Sequence, residues 1–89
     1  MVHIPTEELA QKLADVEREV EVGARYIHYK DFTKEYIVKS LAILEATEEV
    51  GVIYESQYDK RISFIRPAAD FCGFVEIDSG SIPRFTKLK

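Results

Sequence analysis

Two prolines in the C-terminal part of the chain most restrict the fold, because proline fixes its own φ angle and donates no backbone hydrogen bond. They occur as Arg66-Pro67 and Pro83-Arg84, within the run ISFIRPAADFCGFVEIDSGSIPRF at residues 62–85. Each pair therefore predicts the end of a strand or a blunted sheet edge. An arginine beside such a rigid point is a pre-positioned donor of several hydrogen bonds. It could bind an anionic ligand, or it could hold a loop by bonding to carboxylates and carbonyls of the chain.

Short β-strands separated by turns are predicted for the residues after Gly23. Residues 25–30 alternate, with Tyr26 and His28 on one face, and residues 31–34 are expected to form a turn. A helical continuation from Leu41 competes with the strand prediction, because residues 45–49 have real helix propensity. The expected strands are residues 25–30, 35–46, 50–55 and 61–66, followed by a hairpin of residues 73–77 and 81–85 across Asp78-Ser79-Gly80. This pattern predicts a mainly β fold, either a small SH3-like barrel or a curled antiparallel sheet.

One amphipathic α-helix is predicted before the strands, over residues 1–22. Thr6 is the expected N-cap, and Gly23 is well placed to end the helix. Its apolar stripe consists of Leu9, Leu13, Val16 and Val20, and its other face is acidic. We expect the stripe to pack on the β part of the same domain, residues 24–89. Docking of the stripe onto a partner, including a second copy in a homodimer, is the alternative.

The length and composition limit the classes of protein to which this chain can belong. With 89 residues the chain has room for one domain, and its single cysteine excludes an intramolecular disulfide. No signal peptide or membrane span is visible in the sequence, so a cytoplasmic location is predicted. The net charge of −4 belongs to residues 1–24, which carry six acidic and two basic groups. Residues 25–89 are balanced and show no basic stripe, so nucleic-acid binding is not expected.

Catalytic and metal-binding residue patterns are missing from the sequence. Cys72 lies in an apolar run, where a free cysteine behaves as a small hydrophobe rather than a nucleophile. His3 and His28 are too few and too far apart for a soft metal site. We therefore predict no catalytic residue, no metal and no cofactor.

A set of aromatic and cationic residues is the strongest candidate for a site. Tyrosine and arginine are favoured at recognition surfaces because they combine apolar area with directed polar groups. The alternative is that Tyr29, Tyr54 and Phe85 fill the interior, while His28 and the two arginines hold loops together, with Asp70 or Asp78 as internal acceptors. The predicted ligand-binding residues are His28, Tyr54, Tyr58, Arg66 and Arg84.

An ordered series of short motifs resembles a known bacterial family. The series is Tyr26-Ile27-His28-Tyr29-Lys30, Tyr36-Ile37-Val38, Ile53-Tyr54, Tyr58, Phe64-Ile65-Arg66-Pro67, Phe71 and Ile82-Pro83-Arg84-Phe85. It is similar to the family called domain of unknown function 1653, whose members read Y-x-H-Y-K, V-V-Y, W-V-R-P and V-P-R-F. The resemblance covers residues 24–88. It implies a compact, mainly β domain of the SH3-like type and carries no established activity.

Two departures from the family pattern matter for function. Ile43-Leu44 stands where relatives commonly have an arginine-histidine pair, so a family function that uses that imidazole is in question here. Phe64 stands where tryptophan is usual, which keeps an aromatic surface but removes the indole N–H donor. The N-terminal helix is an addition to the pattern.

Three hypotheses follow from these residues. The first is a non-catalytic binding module for a protein, a peptide or a small anionic ligand. The second is a small enzyme acting on a nucleotide or phosphorylated compound, with His28 as acid–base and Arg66 or Arg84 as anion clamp. The third is a structural or assembly role of the N-terminal helix.

Overall fold

A computed structural model describes residues 5–89, and its elements are mostly strands. His3 and the start of the predicted helix, residues 1–4, lie outside the described residues. In chain order the elements are α1 (Thr6–Glu17), β1 (Arg25–His28), β2 (Asp31–Leu44), β3 (Glu49–Ser56), β4 (Ser63–Pro67), α2 (Ala68–Phe71), β5 (Phe74–Ile77), β6 (Gly80–Pro83) and β7 (Phe85–Lys87).

The strands form one five-stranded sheet and one hairpin, and every pair is antiparallel. The sheet order is β4-β3-β2-β1-β7, and β5 pairs with β6. The prediction of a curled antiparallel sheet preceded by one helix is confirmed. Among residues 5–89 the two edge strands, β4 and β7, do not pair with each other, so the sheet curls without closing into the barrel that was the other predicted possibility.

A β-bulge divides the long strand β2 into two parts with opposite side-chain alternation. Val38 pairs with Tyr54 and Ser40 pairs with Ile53, so Lys39 has no partner in β3. Such an extra residue reverses the side-chain alternation and increases the local bend. Tyr36 lies on the inner face before the bulge, and the inner residues after it are Leu41 and Ile43.

One local expectation from the sequence was wrong, and one alternative to the predicted strands is not found. Residues 31–34 begin strand β2 instead of forming a turn, and the turn lies at Tyr29-Lys30. Asp31 still makes the local bonds typical of a turn residue, because its Oδ1 accepts from the backbone N–H and from the hydroxyl of Thr33. The helical continuation from Leu41 is not adopted. The chain reverses after β2, where Glu48 has a φ of 59°.

The N-terminal helix is shorter than predicted at its C-terminal end. Pro5, not Thr6, precedes the first helical residue, and no side chain caps this end. Helix α1 ends at Glu17, before Gly23, because the next residues turn to bury Val20. Gly23 instead starts the path into β1: it has a φ of +90°, and its N–H donates to the carbonyl of Val38. Within residues 5–89, no helix is long and apolar enough to cross a membrane.

The core lies between the inner face of the sheet and the two helices. Leu13 and Val16 of α1 pack against it, and Val20 is only 1% exposed, so the apolar stripe of the helix is used within the chain. Burying each such large side chain contributes roughly 1.5–3 kcal/mol. The buried apolar residues are Val20, Tyr26, Val38, Val50, Val52, Tyr54, Ala68, Phe71 and Phe85.

Candidate functional site: an aromatic cleft with a cationic rim

A cleft of about 320 Å³ opens on the inner face of the sheet, where the curl brings the two edge strands toward each other. Its walls combine aromatic rings with three cationic side chains and one carboxylate. We call it the aromatic cleft. It is lined by His28, Lys30, Asp31, Lys34, Tyr36, Tyr54, Tyr58, Phe64, Arg66 and Phe85.

The register of four strands assembles the aromatic walls. Tyr54 of β3 pairs with Phe64 of β4, and the two rings stack with centroids 5.6 Å apart. Tyr36 of β2 meets Tyr54 edge-on at 5.5 Å, and Phe85 of β7 meets Tyr54 edge-on at 5.3 Å. Phe85 in turn stacks on Phe71 of α2 at 4.2 Å, which fixes its ring from behind. Contacts of these geometries are favourable beyond the area they bury.

Arg66 supplies the principal cation of the aromatic cleft. Its Nε donates to the hydroxyl of Tyr54 at 3.3 Å, and its guanidinium carbon lies 5.7 Å from the centroid of the Phe85 ring. Among residues 5–89 it forms no ion pair, and its terminal amino groups have no hydrogen-bond acceptor. The predicted internal partners, Asp70 and Asp78, form no ion pair with it in the described part of the chain. Arg66 is thus held in place at one nitrogen while two donor groups stay free for an anion.

The rim beside Tyr58 carries a second cation and a hydroxyl pair. The hydroxyl oxygens of Tyr36 and Tyr58 are 2.7 Å apart and share a hydrogen bond. Lys34 Nζ lies 5.0 Å from the centroid of the Tyr58 ring and 3.9 Å from Asp31 Oδ2. Burial, together with the hydrogen bond to Tyr58, raises the pKa of Tyr36 to about 12. Tyr36 is therefore a neutral hydrogen-bonding group at physiological pH.

His28 is a neutral imidazole at the cleft wall. Its Nδ1 accepts from the backbone N–H of Lys30 at 3.2 Å, so the proton of the neutral ring resides on Nε2. Burial lowers the pKa of His28 below its ordinary 6.5, and the positive charges of Arg66, Arg84 and Lys30 lower it further. The imidazole meets Phe85 edge-on at 4.9 Å.

Arg84 does not line the aromatic cleft, although it lies close enough to His28 to lower the pKa of that residue. Its backbone is part of the framework: its N–H donates to the carbonyl of Gly73 at 2.9 Å, and its carbonyl accepts from the N–H of Tyr29 at 3.0 Å. Its Nε is shielded from solvent and lacks a hydrogen-bond partner within the described range. Nor does it form an ion pair there with Asp70 or Asp78. Four of the five predicted site residues therefore share one cleft, and Arg84 is not among the residues that line it.

The surroundings of His28 and Cys72 bear on the chemistry that the cleft can support. Within residues 5–89 no carboxylate forms an ion pair or hydrogen bond with His28, so the described part of the chain offers no group of that kind to orient or polarise the imidazole. Cys72 lies outside the cleft, and burial and the nearby Glu19 carboxylate raise the pKa of its thiol to about 11. Three cations against one carboxylate, on aromatic walls, favour an anion with apolar or planar parts.

Sequence reasoning missed six of the ten residues that line the cleft. Lys34 was expected in a turn, and Tyr36 was expected in a strand without a role in the site. Phe64 was noted only as standing where relatives have tryptophan. The signal for Tyr36 was its two-residue spacing from Val38, which predicts a shared face. Its partner Tyr58, in contrast, comes from a loop, and no local pattern links the two. The cleft residues that were not predicted are Lys30, Asp31, Lys34, Tyr36, Phe64 and Phe85.

Comparisons with known proteins agree on a family. A family model described as "Protein of unknown function (DUF1653)" matches residues 24–87. The chain is also similar to a solved structure, the crystal structure of a protein belonging to DUF1653 from Bordetella bronchiseptica. The two are 27% identical with a TM-score of 0.67, and the likeness covers 80% of this chain and 90% of the other. No curated protein matches the chain.

The family match includes every residue of the aromatic cleft, from His28 to Phe85, and leaves out helix α1. It also agrees with the motif series noted in the sequence. The chain belongs to the DUF1653 family.

Proposed function

We propose that this chain is a non-catalytic binding module whose aromatic cleft holds an anionic group. The observation that carries the proposal is the state of Arg66. Its Nε is fixed on Tyr54 and its guanidinium lies over Phe85, while its terminal amino groups have no acceptor within the described residues. A guanidinium held in this way loses little side-chain freedom when it binds an anion.

The surrounding charges support an anion rather than a neutral ligand. Lys30 and Lys34 flank the same cleft, and its single carboxylate, Asp31, is partly engaged by Thr33 and Lys34. A carboxylate or phosphate entering here would meet charge-assisted donors next to rings that can cover its apolar part. The neutral His28 adds a further hydrogen-bonding group.

The proposal is tested with aromatic anions of simple structure. Phenyl phosphate and benzoate are titrated into isotope-labelled protein, and backbone and side-chain NMR shifts are followed. We expect the largest changes at His28, Tyr58 and the Nε–H of Arg66. Benzyl alcohol and benzylamine, which keep the ring without the negative charge, should bind at least tenfold more weakly.

Arg66→Ala should weaken binding of phenyl phosphate about tenfold or more, since a hydrogen bond to a charged group contributes roughly 1.5–3 kcal/mol. Arg18→Ala is the matched control. It removes the same charge from the end of α1, where Arg18 makes only an exposed contact with Asp15 at 3.7 Å. Equal weakening by both variants would mean that net charge, not the cleft, attracts the anion. Equal affinity for phenyl phosphate and benzyl alcohol would contradict the proposal outright.

A further inference from the structure

Edge strand β4 runs along the rim of the aromatic cleft, and its free side is a second recognition surface. Among residues 5–89, strand β4 pairs with β3 on one side and with no strand on the other. We infer that an extended acidic peptide segment adds to β4 as a further antiparallel strand and directs a carboxylate at Arg66. The inference deepens the proposed function and rests on it, because it assigns the bound anion to a peptide.

The backbone pattern of β4 leaves a row of unpaired groups. The N–H of Ser56 donates to the carbonyl of Ile62 at 2.9 Å, so these residues form a hydrogen-bonded pair. Antiparallel pairs alternate between bonded and non-bonded, and β3 pairs with β4 in an unbroken register. Phe64 and Arg66 therefore direct their backbone groups at β3. The N–H and C=O groups of Ser63 and Ile65 face the open edge.

The side chains along this edge do not protect it. Exposed sheet edges are usually blunted by charge, by proline or by being short. The side chains of Ile62, Phe64 and Ile65 are all exposed, and that of Ile65 is 52% exposed. The charged residue of β4 is Arg66, which is turned onto the cleft side over Phe85, and the only proline is at the end of the strand.

The opposite edge is built differently. Strand β7 has three residues, Phe85–Lys87, and ends in a lysine whose Nζ contacts Glu21 Oε1 at 2.7 Å. It has the shortness and the charge that discourage pairing. Strand β7 also has an unpaired side, but β4 is the longer of the two edge strands and the one without a charged side chain at its open row, Ser63 and Ile65.

A groove follows the same edge. A second concavity of about 400 Å³ lies beside Ile62 and shares Tyr58 and Phe64 with the aromatic cleft. The two concavities together extend from Ile62, just before β4, to Arg66 within it, which is about 13 Å of extended chain. That length accommodates four or five peptide residues, as expected for strand addition.

Charge complementarity selects the peptide. In an added strand, residues opposite Phe64 and Arg66 face the cleft, and residues opposite Ser63 and Ile65 face the other side of the sheet. The cleft side carries the excess positive charge of Lys34, Lys30 and Arg66, so a carboxylate is favoured there. The other side presents the exposed Ile65, so an apolar β-branched residue is favoured there. The occupant is therefore a segment that alternates acidic and apolar residues.

The test uses the peptide acetyl-Ser-Glu-Val-Glu-Val-Glu-Ser-amide and three comparison ligands. The first has lysine in place of each glutamate, the second has N-methylvaline in place of each valine, and the third is N-acetylglutamate amide. Affinities are measured by NMR titration of the full chain. We expect both altered peptides to bind at least tenfold more weakly than the parent peptide. Binding of the parent peptide should also slow solvent exchange of the Ser63 and Ile65 amide protons.

Variants of the protein supply an independent readout. Ile65→Pro removes the edge N–H, and Ile65→Ala keeps it while removing the same apolar side chain. Peptide binding should be lost in the first and mostly kept in the second, with phenyl phosphate bound equally by both. Should Ile65→Pro fail to fold, the N-methylated peptide answers the same question with the unaltered protein.

Four results would overturn the inference. Equal affinity for the parent and N-methylated peptides would exclude strand addition, and equal affinity for N-acetylglutamate amide would assign the site to a free small anion. In both cases binding of phenyl phosphate still supports the proposed function. Light scattering that shows a dimer abolished by Ile65→Pro would assign the edge to a second copy. If neither the anions nor the peptide shift any cleft resonance, the proposed function fails as well.

Discussion

Arg66 and Phe85 come from the two opposite edge strands of the five-stranded sheet, yet the guanidinium carbon of Arg66 lies 5.7 Å from the centroid of the Phe85 ring. The contact spans the concave side of the sheet. It shows how far the sheet curls and why residues from its two ends share one cleft. Phe85 is accordingly both a core residue and a wall of the aromatic cleft.

Removing the Phe85 ring should destabilise the protein strongly. Phe85→Ala deletes the side chain that stacks on Phe71 and meets Tyr54, and we expect it to lower the free energy of unfolding by about 3–5 kcal/mol. Urea unfolding followed by circular dichroism measures this. Phe74→Ala is the control, since Phe74 is 66% exposed and its loss should change stability by less than about 0.5 kcal/mol. Similar effects of the two substitutions would contradict the assigned core.

His28 should titrate below its ordinary pKa of 6.5, because burial and the neighbouring cations disfavour the imidazolium. Below pH 6.5 the unfolded chain then binds this proton more readily than the folded protein, so the His28 contribution to stability is lost as the pH falls. NMR of the imidazole resonances follows the titration directly.

Arg66→Ala removes one of the charges acting on His28 and should raise its pKa, whereas Arg18→Ala, at the end of α1, should leave it unchanged. Bound phenyl phosphate should also raise the pKa, since an anion stabilises the imidazolium. A His28 pKa above 6.5 in the free protein would refute the environment described for the cleft.

The Tyr36 hydroxyl should remain protonated to unusually high pH. Its pKa is raised to about 12, first by burial and then by the hydrogen bond to Tyr58. Tyr58→Phe removes the second cause, so the pKa should fall toward 10.0 while staying above it; Tyr29→Phe is the control. Because the folded protein holds this proton more tightly than the unfolded chain, stability should decrease as the pH rises above about 10. Carbon-13 labelling of the tyrosine rings resolves the individual titrations.

Cys72 should react slowly with thiol reagents at neutral pH. Burial and the Glu19 carboxylate raise its pKa to about 11, so little of it is thiolate. Glu19→Gln should lower this pKa and speed alkylation by iodoacetamide, and Glu17→Gln should leave the rate unchanged. A pH–rate profile with a midpoint near 9.0, the ordinary value, would rule out the buried, acid-flanked thiol.

The predictable parts of the fold are those with local signals. The hairpin across Asp78-Ser79-Gly80 was expected from its turn residues and forms with strands close to the predicted ones. The stripe of α1 was expected from its spacing, and Leu13 and Val16 pack on the core. In each case neighbouring residues carry the information, so a single sequence is sufficient.

The parts that were not predictable depend on pairing between distant residues. The unpaired Lys39 reverses the alternation of β2, and only the register with β3 reveals it. The start of β2 at Asp31 was hidden because Asp31 and Thr33 make turn-like bonds within a strand. Arg84 could not be separated from Arg66 in the sequence, since both stand next to proline. Only the fold shows that Arg66 lines the cleft and Arg84 does not.

The buried position of Val20 has a consequence for where the domain is cut. The family pattern begins at residue 24, but Val20, just before it, is only 1% exposed and belongs to the core. Leu13 and Val16 extend the same packing further toward the N-terminus. The boundary of the family match therefore differs from the boundary of the packed core. We expect a fragment trimmed to residues 24–87 to expose the apolar surface of the sheet that Leu13, Val16 and Val20 cover.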